Sequence, residues 1–146
     1  MPIIQDILDA KGSEVATISP EATIYEALRV LVEKHIGSLV VTDEEKVAGL
    51  ISERDILRTT YERPEEIKTL RVSEFMTTEL FVGMPKDDLD LVMMIMTEQR
   101  FRHLPIISDG QLVGIISIGD VVKALKDQSD HEKQMLTDYV SGTYPT

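Results

Sequence analysis

A stretch of seven residues occurs twice in the chain, and this repeat constrains the fold more than any other feature. "GLISERD" at 49–55 is echoed by "GIISIGD" at 114–120, at an offset of 65 residues and without insertions. Pro20 and Pro85 match at the same offset. Self-similarity at a fixed offset is typical of repeated structural units, so the 146 residues are predicted to form two copies of one unit.

Each copy carries the same predicted order of elements: strand, helix, strand, strand, helix. The first apolar segment, at 15–19 or 80–84, ends at a proline, which cannot continue a β-ladder. Capping signals then predict a helix, after Thr23 in the first copy and after Asp87 or Asp88 in the second. Two β-rich runs joined by turn residues follow and predict a hairpin, with a second helix after it.

Glycine interrupts the second strand of each predicted hairpin, at Gly49 and Gly114. A glycine inside a strand predicts a bulge or the close approach of another part of the backbone. A half of about 60 residues buries too little apolar surface to be stable alone, so the halves are expected to pack through their sheets.

The predicted fold class is α/β in the α+β sense: two pseudo-symmetric β-α-β-β-α repeats plus a C-terminal helix. The repeats are assigned to residues 10–62 and 77–127, with a polar linker at 63–76 and a C-terminal helix and tail at 128–146. The C-terminal helix is predicted to start at a capping box and to stop at a glycine, and its apolar stripe needs cover from the same chain or a second subunit. The residues in question are Ser129 and Glu132 for the box, Met135, Leu136, Tyr139 and Val140 for the stripe, and Gly142 for the stop.

Composition excludes several classes of function. The formal net charge of −11 repels nucleic acids and anionic membranes, so neither is an expected partner. The absence of cysteine rules out disulfides and thiolate metal sites, and the three histidines are not at metal-ligand spacings. No segment has the length and apolarity of a membrane helix or the pattern of a secretory signal, which favours a cytoplasmic location.

The repeated Ser-x-x-Asp motif allows two interpretations. Serine followed three residues later by an acidic residue is a helix capping box, which carries no information about function. The same helix start also presents free N–H groups to an anion, and its carboxylate can accept hydrogen bonds from vicinal ribose hydroxyls. Residue types alone leave both interpretations open.

The tandem copies, each ending in Gly-apolar-apolar-Ser-x-x-Asp, with "RFRHLPIISDGQLVGIISIGDVV" in the second, resemble a pair of CBS (cystathionine β-synthase) domains, a Bateman module. The resemblance covers about residues 10–127 and is more specific in the second copy, because residues 37–40 of the first depart from the Arg-His-Leu-Pro pattern. It implies two clefts between the copies that bind adenosine-containing ligands such as AMP, ADP, ATP, NAD or S-adenosylmethionine. We therefore expect no required cofactor and no metal site.

The resemblance assigns residues to each cleft. Site A would use Asp120 for the ribose hydroxyls and would comprise Ala16, Ile36, Gly37, Arg102, His103, Ser117, Gly119 and Asp120. Site B would use Asp55 for the ribose and would comprise Ser52, Arg54, Asp55, Thr77, Phe81 and Phe101. Since position 37 is glycine where position 102 is arginine, the two sites are expected to differ in phosphate affinity.

The resemblance implies a stand-alone, non-enzymatic regulatory protein that senses an adenine nucleotide, forms a homodimer and signals to a separate, unidentified protein target. The alternative is a dimerisation or interaction module whose clefts bind no ligand, which follows from the capping interpretation. A nucleotide hydrolase has little support, because no carboxylate pair accompanies a nucleophile and no glycine-rich phosphate loop is present.

Overall fold

The computed structural model describes the backbone of residues 1–140 and the side chains of residues 1–130. The helices are α1 (Ile4–Lys11), α2 (Ile24–Lys34), α3 (Glu53–Glu62), α4 (Val72–Phe75), α5 (Leu89–Gln99) and α6 (Ile118–Val140). The strands are β1 (Thr17–Ile18), β2 (Ser38–Asp43), β3 (Lys46–Ser52), β4 (His103–Ser108) and β5 (Gln111–Ser117). The predicted mixed fold of two repeats is therefore confirmed.

The two hairpins are built alike. β2 pairs antiparallel with β3, with Val40 opposite Leu50, and β4 pairs antiparallel with β5, with Pro105 opposite Ile115. These pairs are related by the 65-residue offset, and each hairpin has one register irregularity at matching positions. The two sheets meet through contacts between β3 and β5, so the repeats pack through their sheets as expected.

The first strand differs between the repeats. β1 pairs parallel with β2 in the first repeat. In the second repeat the predicted strand at 80–84 is reduced to one parallel bridge between Gly83 and Ile106. The Gly83 N–H donates to Pro105 O at 2.9 Å, and Gly83 O accepts from the Ile107 N–H at 2.9 Å.

Each repeat receives part of its core from a helix that precedes the other repeat. The apolar face of α1, at the start of the chain, packs into the core of the second repeat through Ile4, Ile7 and Leu8. Leu70 and Val72, in the segment predicted to be a polar linker, pack into the core of the first repeat. Neither short helix was predicted.

Backbone hydrogen bonds fix this exchange in both directions. The Ile4 N–H donates to Asp87 O at 3.0 Å, and the Val72 N–H donates to Ala22 O at 2.8 Å. Asp87 and Ala22 are related by the 65-residue offset, whereas Val72 and Ile4 are 68 residues apart. The exchange therefore follows the pseudo-twofold symmetry with a shift of three residues.

The glycines inside β3 and β5 mark close approaches to the exchanged segments. A Cβ added at Gly49 would lie 2.8 Å from the carbonyl oxygen of Thr77 and 2.8 Å from the sulfur of Met76. A Cβ added at Gly114 would lie 2.5 Å from the Cδ2 atom of Leu8. The prediction of a bulge or a close approach is confirmed in both strands, because the register irregularity of each hairpin lies beside the glycine. The close approach is to a backbone at Gly49 and to a side chain at Gly114.

The last helix differs from its prediction. α6 runs without interruption from Ile118 to Val140, so Ser129 lies inside a helix and does not start a separate one. The apolar stripe predicted at residues 135–140 and the stop at residue 142 lie outside the residues whose side chains the structure describes. Within residues 1–140, no helix is long and apolar enough to cross a membrane.

Candidate functional site

The Ser-x-x-Asp motif forms a capping box in both repeats. In the first, Asp55 Oδ2 accepts from the Ser52 N–H at 2.9 Å, and the Asp55 N–H donates to Ser52 Oγ at 3.4 Å. In the second, Asp120 Oδ2 accepts from the Ser117 N–H at 2.8 Å, and the Asp120 N–H donates to Ser117 Oγ at 3.1 Å. The described hydrogen bonds use Oδ2 of each carboxylate, which leaves Oδ1 as a free acceptor among residues 1–130.

Site B is a cleft of about 420 Å³ at the start of α3. It is lined by all the residues predicted for it: Ser52, Arg54, Asp55, Thr77, Phe81 and Phe101. Phe81 stacks on Phe101, with ring centroids 4.8 Å apart and planes 7° from parallel. The cleft therefore combines a carboxylate, an aromatic pair and a helix N-terminus.

Site B is also rich in arginine. Four arginines line it, of which only the first was predicted for this site: Arg54, Arg58, Arg100 and Arg102. Their counterparts at the 65-residue offset in the other repeat are Gly119, Lys123, His35 and Gly37. The excess of guanidinium groups makes this cleft the stronger attractor of anions, although Glu53 and Glu79 also line it.

Site A is a cleft of about 440 Å³ at the start of α6. Of the residues predicted for it, those that line it are Ala16, Ile36, Gly37, His103, Ser117 and Asp120. Arg102 lines site B instead, and the exposed Gly119 lies outside the lining of site A. The position of Arg102 differs from the prediction because each cleft combines a helix start of one repeat with the segment before the hairpin of the other, so Arg102 lines the same cleft as Asp55.

Lys11 is a residue of site A that the sequence did not indicate. Its Nζ atom donates to Asp120 Oδ2 at 2.8 Å and to Ile115 O at 3.0 Å. Burial raises the pKa of Asp120, but the hydrogen bonds from Lys11 and Ser117 outweigh that effect and hold this pKa below its usual value. Asp120 is therefore ionised at neutral pH and paired with an ammonium group.

His103 lies between the clefts and lines both. A Cβ added at Gly37 would lie 3.4 Å from His103 Nε2 and 3.3 Å from Glu53 Oε1, so both side chains lie close to the backbone at position 37. Burial lowers the pKa of His103, and the attraction of Glu53 and Asp120 offsets this only in part. The imidazole is therefore mainly neutral at pH 7 and can donate or accept.

Comparison with known proteins assigns the chain to a family. The CBS domain family matches the chain twice, over residues 5–62 and 72–127. The chain belongs to the CBS domain family. Its two repeats are CBS domains, and sites A and B lie at the helix starts of this CBS pair.

Similar proteins cover most of the chain. The mitochondrial CBS domain-containing protein CBSX3 of Arabidopsis thaliana is 33% identical in an alignment of 150 positions that covers 97% of this chain and 73% of that protein. The crystal structure of the CBS-domain containing protein ATU1752 from Agrobacterium tumefaciens has a TM-score of 0.81 and 40% identity, covering 84% of this chain and 98% of that one. The crystal structure of CBSX2 in complex with AMP has a TM-score of 0.72 and 26% identity, covering 88% and 99%.

The position of His103 in the CBS pair has a consequence for stability. Because folding lowers its pKa, the unfolded chain binds more protons below the ordinary histidine value of 6.5, and stability falls as the pH drops through that value. Replacing His103 by asparagine should reduce the loss of unfolding free energy between pH 7.5 and pH 5.5. Urea denaturation at both pH values measures this, and equal losses in the two proteins would contradict it.

A metal centre is not indicated. Among the residues that the structure describes, no group of three or more histidine and acidic side chains is placed to hold a metal ion.

Proposed function

We propose that the protein is a non-enzymatic regulatory module that binds adenosine-containing ligands in sites A and B. Candidate ligands are AMP, ADP, ATP, NAD and S-adenosylmethionine. The observation that carries this proposal is the pair of symmetric helix starts, each with a free carboxylate Oδ1 at the mouth of a cleft. The cleft volumes of about 420 and 440 Å³ fall within the range of about 300–1,000 Å³ usual for small-molecule sites.

The ribose is the part of the ligand that the carboxylates would recognise. A vicinal diol offers two donors, and an ionised carboxylate accepts both with charge-assisted hydrogen bonds. Capping the helix and binding a ribose are compatible, because the caps occupy Oδ2 of Asp55 and Asp120. The AMP complex of CBSX2 supports an adenosyl ligand for this chain.

The phosphate groups would be held mainly in site B. Its four arginines favour a ligand with two or more phosphates, since guanidinium groups bind phosphate oxygens in pairs. Site A offers Lys11 and Lys34, which suit a single phosphate. The bases would rest on the stacked Phe81 and Phe101 in site B and on Ala16 and Ile36 in site A.

A regulatory module needs a second surface to pass on its state. α2 and α3 expose large apolar side chains, including Val32 (62% exposed), Leu57 (71%) and Tyr61 (88%). We propose that a homodimer forms through these helices in the cytoplasm and signals to a separate protein target, ligand binding favouring one of two dimer arrangements. The same exposed residues support the alternative of an interaction module that binds no ligand.

Titration calorimetry with the five candidate ligands tests the proposal. At least one of them should bind, and it should be recovered chemically unchanged. Replacing Asp55 by asparagine should weaken binding at site B by about tenfold or more, because a charge-assisted hydrogen bond contributes about 1.5–3 kcal/mol. Asp120→Asn should have the corresponding effect at site A.

Asp6→Asn is the matched control. Asp6 stands three residues after the N-cap of α1 and accepts from the Ile3 N–H at 2.8 Å, as Asp55 and Asp120 do at their own helix starts, but it lines neither cleft. The amide oxygen of asparagine can accept the same hydrogen bond, so all three variants should fold. Failure of all five ligands to bind the wild-type protein would reject the proposal in favour of the ligand-free interaction module.

A further inference from the structure

Lys11 holds Oδ2 of the carboxylate that the ribose would use in site A, so among residues 1–130 only Oδ1 of Asp120 is free there. Its ammonium group is held by two acceptors, Asp120 Oδ2 at 2.8 Å and Ile115 O at 3.0 Å. The side chains of Lys11 and Asp120 are 39% and 28% exposed, so a ligand entering the cleft can reach this ion pair. Only the side chain of Lys11 needs to move, because Ile4, Ile7 and Leu8 anchor its helix in the core.

Site B has no such cation on its carboxylate. Asp55 Oδ2 accepts from the backbone N–H of Ser52 and from its hydroxyl group at 3.0 Å, and among residues 1–130 no ion pair includes Asp55. A hydroxyl hydrogen rotates away readily, whereas an ammonium held by two acceptors does not. The carboxylate of Asp55 in site B is therefore more accessible to a ribose than the carboxylate of Asp120 in site A.

We propose that Lys11 is a specificity-determining residue that makes site A select phosphorylated nucleosides over unphosphorylated ones. This inference rests on the function proposed above. A nucleoside can use both oxygens of Asp120 only by displacing the ammonium of Lys11, and it offers that ammonium no anion in return. A nucleotide supplies a phosphate, to which the flexible lysine stem can swing, so one charge-assisted bond replaces another.

A comparison of AMP with adenosine tests the inference. Both ligands are titrated into the full-length Asp55→Asn variant, in which site B is weakened, with Lys11 either retained or replaced by glutamine. Lys11→Gln should raise the affinity for adenosine by about threefold and lower that for AMP by about threefold, so the AMP-to-adenosine ratio falls by about tenfold. Threefold changes are of the size expected for a solvent-accessible ion pair, and the pair of Lys11 and Asp120 is partly exposed.

Lys34→Gln is the matched control, since it removes the same charge from the lining of site A while Asp120 stays paired with Lys11. It should lower the affinity for AMP without raising that for adenosine. Lys11→Arg should keep the wild-type preference, and thermal melting should show that every variant folds.

The outcomes separate the two proposals. An unchanged AMP-to-adenosine ratio in Lys11→Gln overturns the inference, as does a loss of AMP affinity without a gain for adenosine, because that result reflects charge alone. If neither ligand nor any other adenosine compound binds either form of the protein, the proposed function itself fails.

Discussion

Replacing Ile4 by alanine should lower the free energy of unfolding by about 2–5 kcal/mol, the usual cost of removing a large aliphatic side chain from a core. Ile4 is fully buried among residues of the second repeat, although it lies near the start of the chain, before the first. Urea denaturation followed by circular dichroism measures the effect. A flexible leader at the N-terminus would tolerate the same change without cost.

Val82→Ala provides the control for this prediction. Val82 lies in the second repeat but is 53% exposed, so its truncation should change the free energy of unfolding by no more than about 0.5 kcal/mol. Equal effects of Ile4→Ala and Val82→Ala would mean that α1 is not part of the core. Hydrogen exchange should also show faster opening of α5, whose buried residues belong to the same core cluster as those of α1.

Replacing Gly49 by alanine should cost about 2–3 kcal/mol of stability, because the new methyl group has no space. It would meet the carbonyl oxygen of Thr77 at 2.8 Å, and that oxygen is fixed by its hydrogen bond from the Leu50 N–H at 2.9 Å. Gly114→Ala should cost less, because its obstacle is the end of the Leu8 side chain, which can change rotamer. Thermal and urea denaturation rank the two variants.

Gly119→Ala is the matched control for both glycine variants. A Cβ at Gly119 would be 3.6 Å from Ser117 Oγ, an ordinary contact, and the residue lies in the first turn of α6. Alanine has the higher helix propensity, so this variant should be as stable as the wild type or slightly more stable. A Gly49→Ala variant as stable as Gly119→Ala would contradict the close packing of β3 against residues 76 and 77.

Local signals in the sequence predicted most of the two repeats. The hairpins and the helices that flank them follow from alternating apolar residues, turn residues and caps, all of which act between residues close in sequence. The Ser52–Asp55 capping box is an example, since a three-residue spacing defines it completely. The equal registers of the hairpins confirm that the ungapped repeat was a sound guide.

The exchanged helices were missed because their partners are distant in sequence. Ile4, Ile7 and Leu8 do have helical spacing, and this signal was available, but α1 has only 8 residues and α4 only 4. Helices this short are not stable by themselves and depend on packing, in this case against the opposite repeat. The three-residue shift between them also hid them from a comparison at an offset of 65.

Only part of each candidate site could be predicted, because the rest depends on contacts between residues that are distant in sequence. Ser52 and Asp55 could be paired from their spacing, whereas the cleft that Arg102 faces depends on how the repeats pack. The contact of Lys11 with Asp120 joins residues 109 positions apart, so no local pattern indicates it. The capping box at Ser129 illustrates the opposite error, because a helix that already has a start passes through the motif.

The exchange of α1 and α4 bears on how a chain of this kind arises. If each repeat is regarded as an ancestral protein, it could complete its core only with the leading helix of a second copy, as in a domain-swapped homodimer. Joining two such genes end to end would give the present arrangement, with the former twofold axis between sites A and B. Divergence after the fusion could then place a lysine in one cleft and arginines in the other, which a dimer of identical subunits cannot do.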